Sequence, residues 1–138
     1  MVRQAGALFA RLPGVRPHAE LGQIQRDNFR KAVQAGAKMS FGTDAGICPY
    51  GTSARQFAFM VKYGMTPMQA IQAATINAAD LLGKRHSLGS LKTGKYADLI
   101  AVEGDPLTDI SILENVSLVI KEGKIVKSPD ASKDKTSP

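Results

Sequence analysis

Near Lys84 the hydrophobic period of this chain changes, and that change constrains its fold more than any other feature. Before Lys84, apolar residues recur at helical spacing. After it they fall into short runs bounded by Gly, Asp and Pro, the pattern of strands and turns. Residues 1–18 are irregular, punctuated by Gly6, Pro13, Gly14 and Pro17. From Glu20 to Ala35, Leu21, Ile24, Phe29, Ala32 and Val33 share one helical face, and Gly36 supplies a stop. A short strand is expected over Ala37 to Gly42, with Ala37, Met39 and Phe41 on one parity and Lys38, Ser40, Gly42 and Asp44 on the other. A turn-rich run, Gly46 to Thr52, precedes a second helix from Ser53 to Tyr63, closed by Gly64.

Thr66-Pro67-Met68-Gln69 is a helix start built from a cap, a first-turn proline and a capping-box glutamine. Met68, Ile71, Thr75, Ala78 and Leu82 then form one stripe, and Gly83 ends the run. Its many alanines imply close packing. Beyond Lys84, a strand is expected at Ala97–Val102 and a hairpin at Val116–Ile120 and Lys124–Lys127 around Glu122-Gly123. The residues from Pro129 onward are Ser, Lys, Asp and Pro-rich, as in a disordered tail. The order is thus helix, strand, helix, helix, then strands only. That α/β order is odd for a complete small domain and suggests the end of something larger.

Composition removes several functions. The formal net charge of +6 over 138 residues invites a nucleic-acid reading, but the eighteen Lys and Arg are scattered and Trp is absent. No apolar run approaches the ~18 residues of a membrane span. Neither nucleic acid nor membrane is expected as a partner. The single cysteine, Cys48, excludes an internal disulfide framework and reads as an inert, partly buried thiol. No signal-peptide pattern opens the chain, so the cytoplasm is the default compartment if nothing precedes Met1.

The residue placed best for chemistry is Asp44, in Gly42-Thr43-Asp44-Ala45-Gly46 at the end of a short strand leading into helices. At a β/α barrel's strand ends, such a carboxylate faces the reaction, where it can bind a metal ion or accept a proton from water. The pentapeptide alone fits a turn-holding aspartate better. Arg55 is a surface residue or a partner for a substrate carboxylate. Asp98 and Asp105-Pro106 mark a strand start and a turn. His18 reads as a loop residue before the first helix, and His86 as a surface residue.

Four segments together resemble the amidohydrolase superfamily, nearest its imidazolonepropionase-like and Xaa-Pro dipeptidase branch. Ser40-Phe41-Gly42-Thr43-Asp44-Ala45-Gly46 is similar to the eighth-strand segment of that barrel. Gly64-Met65-Thr66-Pro67-Met68-Gln69-Ala70-Ile71 through Ala78-Ala79-Asp80-Leu81-Leu82-Gly83 is similar to its last helix. The run from Leu88 to Leu99 resembles the exit from the barrel, and Val119 to Val126 the closing hairpin of an accessory β-sandwich.

The resemblance implies the C-terminal part of a TIM-type (β/α)8 barrel plus strands of a composite β-sandwich. Residues 1–85 would be the last βα portion, 86–128 the sandwich strands and 129–138 the tail. It implies one or two divalent metals, commonly zinc, with Asp44 as metal ligand and general base in hydrolysis of a C–N bond in a small-molecule, peptide-like or cyclic amide substrate. Deamination of a heterocycle is a rival within the same chemistry. Tyr50, in Pro49-Tyr50-Gly51, stands where dipeptidase relatives often carry Pro-His-Gly; it either meets the substrate through its hydroxyl or covers the barrel mouth. The chain departs from the family in having two histidines and no His-x-His pair. One carboxylate does not hold a catalytic zinc, which usually has three protein ligands. The expectation is therefore an inactive C-terminal piece that self-associates or awaits a missing N-terminal portion. The alternative is a non-catalytic interaction subunit that dimerises or completes a partner's barrel.

Overall fold

Among the described residues of the computed structural model, three of the four α-helices end in the same device, and the glycines at helical stops in the sequence explain it. The structure describes residues 18–43 and 51–129. The expected irregular start, the turn-rich run from Gly46 to Tyr50 and the tail from Asp130 lie outside those residues. The chain divides between Ala37 and Lys38 into two compact units.

The described part of the first unit is α1, His18–Gln34. His18 is its first residue and not a loop residue, so the helix begins two residues before the expected Glu20. Ile24, Phe29, Ala32 and Val33 are half-buried, and the polar face carries an Arg30–Asp27 ion pair at 3.0 Å. After Gln34 the Ala37 N–H donates to the Ala32 carbonyl and the Gly36 N–H to that of Val33, both at 3.0 Å. This Schellman closure needs a left-handed residue at Gly36, whose φ is 71°.

In the second unit, residues 38–43 belong to no strand or helix. Among the described residues no strand pairs with them, and a strand exists only through a partner ladder. α2 (Arg55–Lys62) and α4 (Ile76–Leu81) close as α1 does, at Gly64 and Gly83. α3 (Pro67–Ala74) starts with the expected capping box: the Gln69 N–H donates to the Thr66 hydroxyl at 3.2 Å, and the Thr66 N–H to Gln69 Oε1 at 2.8 Å. Ala70 and Ala73 are completely buried, which lets α3 approach α2 closely. A short 3-10 helix, Ile110–Glu114, packs on α2 and adds buried Ile110 and Leu113 to a small core with Met60 and Met65.

The single long helix expected from Pro67 to Leu82 is instead broken at Thr75, where φ is −123° and ψ −90°. The Thr75 hydroxyl donates to the Ile71 carbonyl at 2.8 Å, and its N–H turns to the Gln72 carbonyl at 3.2 Å. A hydroxyl that bonds back along the helix competes with the backbone ladder. The turn at Gly89 (φ 83°) lies against the break: a Cβ there would stand 2.8 Å from the Thr75 carbonyl oxygen.

Beyond the helices lies a three-stranded antiparallel sheet, β1 (Leu99–Val102), β2 (Val116–Lys121) and β3 (Lys124–Lys127), in that order. Leu99 pairs with Ile120 and Ala101 with Leu118. Glu122 and Gly123 have φ of 52° and 78°, the two positive angles of a type I′ turn. The expected first strand begins at Leu99 and not Ala97, because Ala97 and Asp98 serve the hairpin turn. The Ala97 carbonyl accepts from the Gly123 N–H at 3.1 Å, and the Asp98 carboxylate from the Glu122 N–H at 2.7 Å. Among the described residues no helix is long and apolar enough to cross a membrane.

Candidate functional site

Asp44, Tyr50 and Cys48 lie outside the described residues; the segment leading into them is described. Met39, Phe41 and Thr43 are half-buried, whereas Lys38, Ser40 and Gly42 are exposed. The alternation matches the parities read for residues 38–42, whereas Ala37, expected with Met39 and Phe41, is exposed. The Phe41 ring stacks on Phe57 of α2, with centroids 4.7 Å apart. Thr43 and Ser53 are joined by a hydroxyl hydrogen bond of 3.3 Å.

One face of α3 and α4 holds this segment through three contacts that the sequence reading did not single out. Ala73 accepts at its carbonyl from the Phe41 N–H at 3.0 Å. Asn77 Nδ2 donates to the Met39 carbonyl at 3.0 Å. Asp80 pairs with the Lys38 ammonium, and Arg85 adds its guanidinium at 3.9 Å. The Lys38 hydrogen bond and charge hold the Asp80 carboxyl below the usual carboxylate range. Asn77 and Asp80 are three residues apart and share one face of α4, a spacing visible in the sequence.

The other candidates resolve into structural roles. Arg55 pairs with Glu114 at 3.3 Å, tying α2 to the 3-10 helix. His86 is exposed. Asp98 is clamped by Lys121 Nζ at 2.5 Å as well as by the Glu122 N–H, which together depress its pKa. The same contact raises that of Lys121. Asp105 accepts from the Leu107 N–H at 2.9 Å and the Thr108 hydroxyl at 3.2 Å, holding its own turn.

A groove of about 630 Å³ opens between α3, α4 and the sheet, lined by Ile71, Ala78, Leu82, Leu91, Tyr96 and Val119 among others. Its walls are apolar, and the charged groups at its rim, Asp98 and Lys121, neutralise each other. Among the described residues no three His, Cys, Asp or Glu side chains come together to hold a metal ion. These residues do not by themselves fit the metal that the resemblance implies.

The chain belongs to the amidohydrolase family, whose model matches residues 12–126. It is 41% identical over 106 residues to the ochratoxinase of Aspergillus niger, covering 73% of this chain and 22% of that one. It is 30% identical over 132 residues to the imidazolonepropionase of a Geobacillus species (strain WCH70), covering 89% and 30%. The crystal structure of a Xaa-Pro dipeptidase with bound methionine superposes with a TM-score of 0.77 at 44% identity, over 91% of this chain and 33% of that one. The fold is therefore a mixed helix-and-sheet part of the amidohydrolase fold, as the sequence implied. The chain spans at most about a third of the length of these relatives.

Proposed function

We propose that this chain is the C-terminal portion of a metal-dependent amidohydrolase, with Asp44 as metal ligand and general base. The observation that carries the reading is the alternating exposure of residues 38–43. Met39 and Phe41 are half-buried and Ser40 and Gly42 exposed, and in the sequence Asp44 has the parity of Ser40 and Gly42. Residues 1–85 then serve as the last βα portion of a TIM-type barrel and 86–128 as strands of a β-sandwich. The relatives named above support hydrolysis of a C–N bond, and the dipeptidase likeness favours a peptide-like substrate. Zinc is the proposed ion. The other ligands must come from outside the described residues, since a catalytic zinc takes about three protein ligands.

Asp44 would take a proton from the attacking water and later return it to the leaving nitrogen; one carboxylate serves as base and then acid. Tyr50 is proposed to meet the substrate through its hydroxyl. The 138-residue chain alone is expected to have no Xaa-Pro dipeptidase activity. Substituted for the matched third of the Xaa-Pro dipeptidase, it is expected to support turnover. Hydrolysis by the isolated chain at a rate comparable to that hybrid would refute the proposal.

A second reading, a non-catalytic subunit that completes a partner, is favoured by one observation. Leu81, Leu82, Leu91, Ile125 and Val126 are each at least 66% exposed, more apolar surface than a small free-standing unit usually leaves open.

A further inference from the structure

We infer that Asn77, together with the helix break at Thr75, is the positioning device that sets the register of the segment presenting Asp44. The inference rests on the reading of Asp44 given above. Apolar contacts cannot set that register by themselves. Ala37, Met39 and Phe41 alternate, so a slip of two residues keeps apolar side chains on the helices while moving the end of the segment by about 7 Å. A ligand or base displaced that far does no chemistry, since catalytic groups must sit within about 0.5 Å of their working positions.

Directional contacts to single backbone groups do choose a register, and two exist. In an unbroken helix the Ala73 carbonyl would accept from the Asn77 N–H, four residues on. The break at Thr75 releases it, and the Phe41 N–H takes its place at 3.0 Å. The Thr75 hydroxyl meanwhile donates to the Ile71 carbonyl at 2.8 Å, replacing the N–H that has turned to Gln72. One step along the segment, the Asn77 amide donates to the Met39 carbonyl at 3.0 Å. On the opposite side Gly89 packs where a Cβ would stand 3.1 Å from Ile76 Cα, which holds the broken turn in place. The third contact, Lys38 to Asp80, is exposed at both ends and screened by solvent, so it specifies little.

The test is amide hydrogen exchange by NMR on the complete 138-residue chain, comparing wild type with N77D and N77A. N77D keeps the shape of the side chain but offers a carboxylate that cannot donate to a carbonyl. E114Q, which disturbs the Arg55 contact on another face of the same unit, is the control. The Phe41 amide is expected to exchange roughly five- to tenfold faster in N77D and N77A, the loss of about one net hydrogen bond. The Leu118 and Ile120 amides of β2 should stay at wild-type rates, and E114Q should leave Phe41 unchanged. Unchanged exchange at Phe41 in N77D would overturn the inference. So would acceleration of Phe41 and β2 together in N77D, which marks a residue needed only for global stability. Neither readout depends on Asp44 or a metal, so failure here leaves the reading of Asp44 to be judged separately by activity.

Discussion

A methyl group at Gly89 would stand 2.7 Å from the Ala79 Cβ and 2.8 Å from the Thr75 carbonyl oxygen, at a φ of 83°. At Gly123, with φ of 78°, it would meet open space. Both sites penalise an L side chain by about 1–2 kcal/mol through their left-handed backbone, but only Gly89 adds overpacking of about 1–3 kcal/mol. Urea denaturation should therefore show G89A losing distinctly more stability than G123A; equal losses would mean the loop yields. Asp98 supplies a pH signature. Its folded pKa lies below its unfolded one, so the clamp on the hairpin is present above about pH 4 and is lost as pH falls through the depressed folded value. Lys121 has a raised folded pKa, so its share is complete below about pH 10 and is lost as pH rises beyond that. In D98N the gap in urea midpoint from wild type should be open at pH 7 and narrow towards pH 3. A gap that is constant with pH would show that the carboxylate's charge is not what holds the turn.

Among the elements, those set by local chemistry were legible. The capping box at Thr66, the stops at Gly36, Gly64 and Gly83 and the Glu122-Gly123 turn each act within a few residues, and each stands where the sequence places it. T66A should cost about 1 kcal/mol, the usual loss of a side-chain cap, in the same denaturation assay. The misread elements depend on partners distant in sequence. The break at Thr75 depends on Gly89 and on residues 38–43, so helical periodicity passed straight through it. The segment 38–42 has the alternation of a strand but no ladder among the described residues, because alternation reports two different faces and says nothing of who supplies the hydrogen bonds. His18 was misread for a simpler reason: one or two residues at a helix end are below what periodicity resolves. Of the candidate site, the alternation of residues 38–42 was readable, whereas Asn77 and Asp80 were hidden on an alanine-rich helix by the stronger apolar stripe beside them.

At the scale of the whole molecule, several large apolar side chains stand open to solvent among the described residues. Leu82 is 67% exposed and Leu91 77%, both at the apolar groove beside the sheet. The purified chain should therefore associate with itself in a concentration-dependent way in sedimentation velocity, and L82D with L91D should reduce that association. A monomer at every concentration would argue that this surface is tolerated in water. The central claim is that the chain contributes Asp44 to a metal-dependent hydrolytic site. Its most direct test is the Xaa-Pro dipeptidase hybrid carrying this chain, with and without D44N, measured for bound metal and for kcat in the same preparations. The account expects D44N to lose metal and to lose at least about a hundredfold in kcat while the hybrid stays folded. A D44N hybrid with full metal content and undiminished turnover would contradict it.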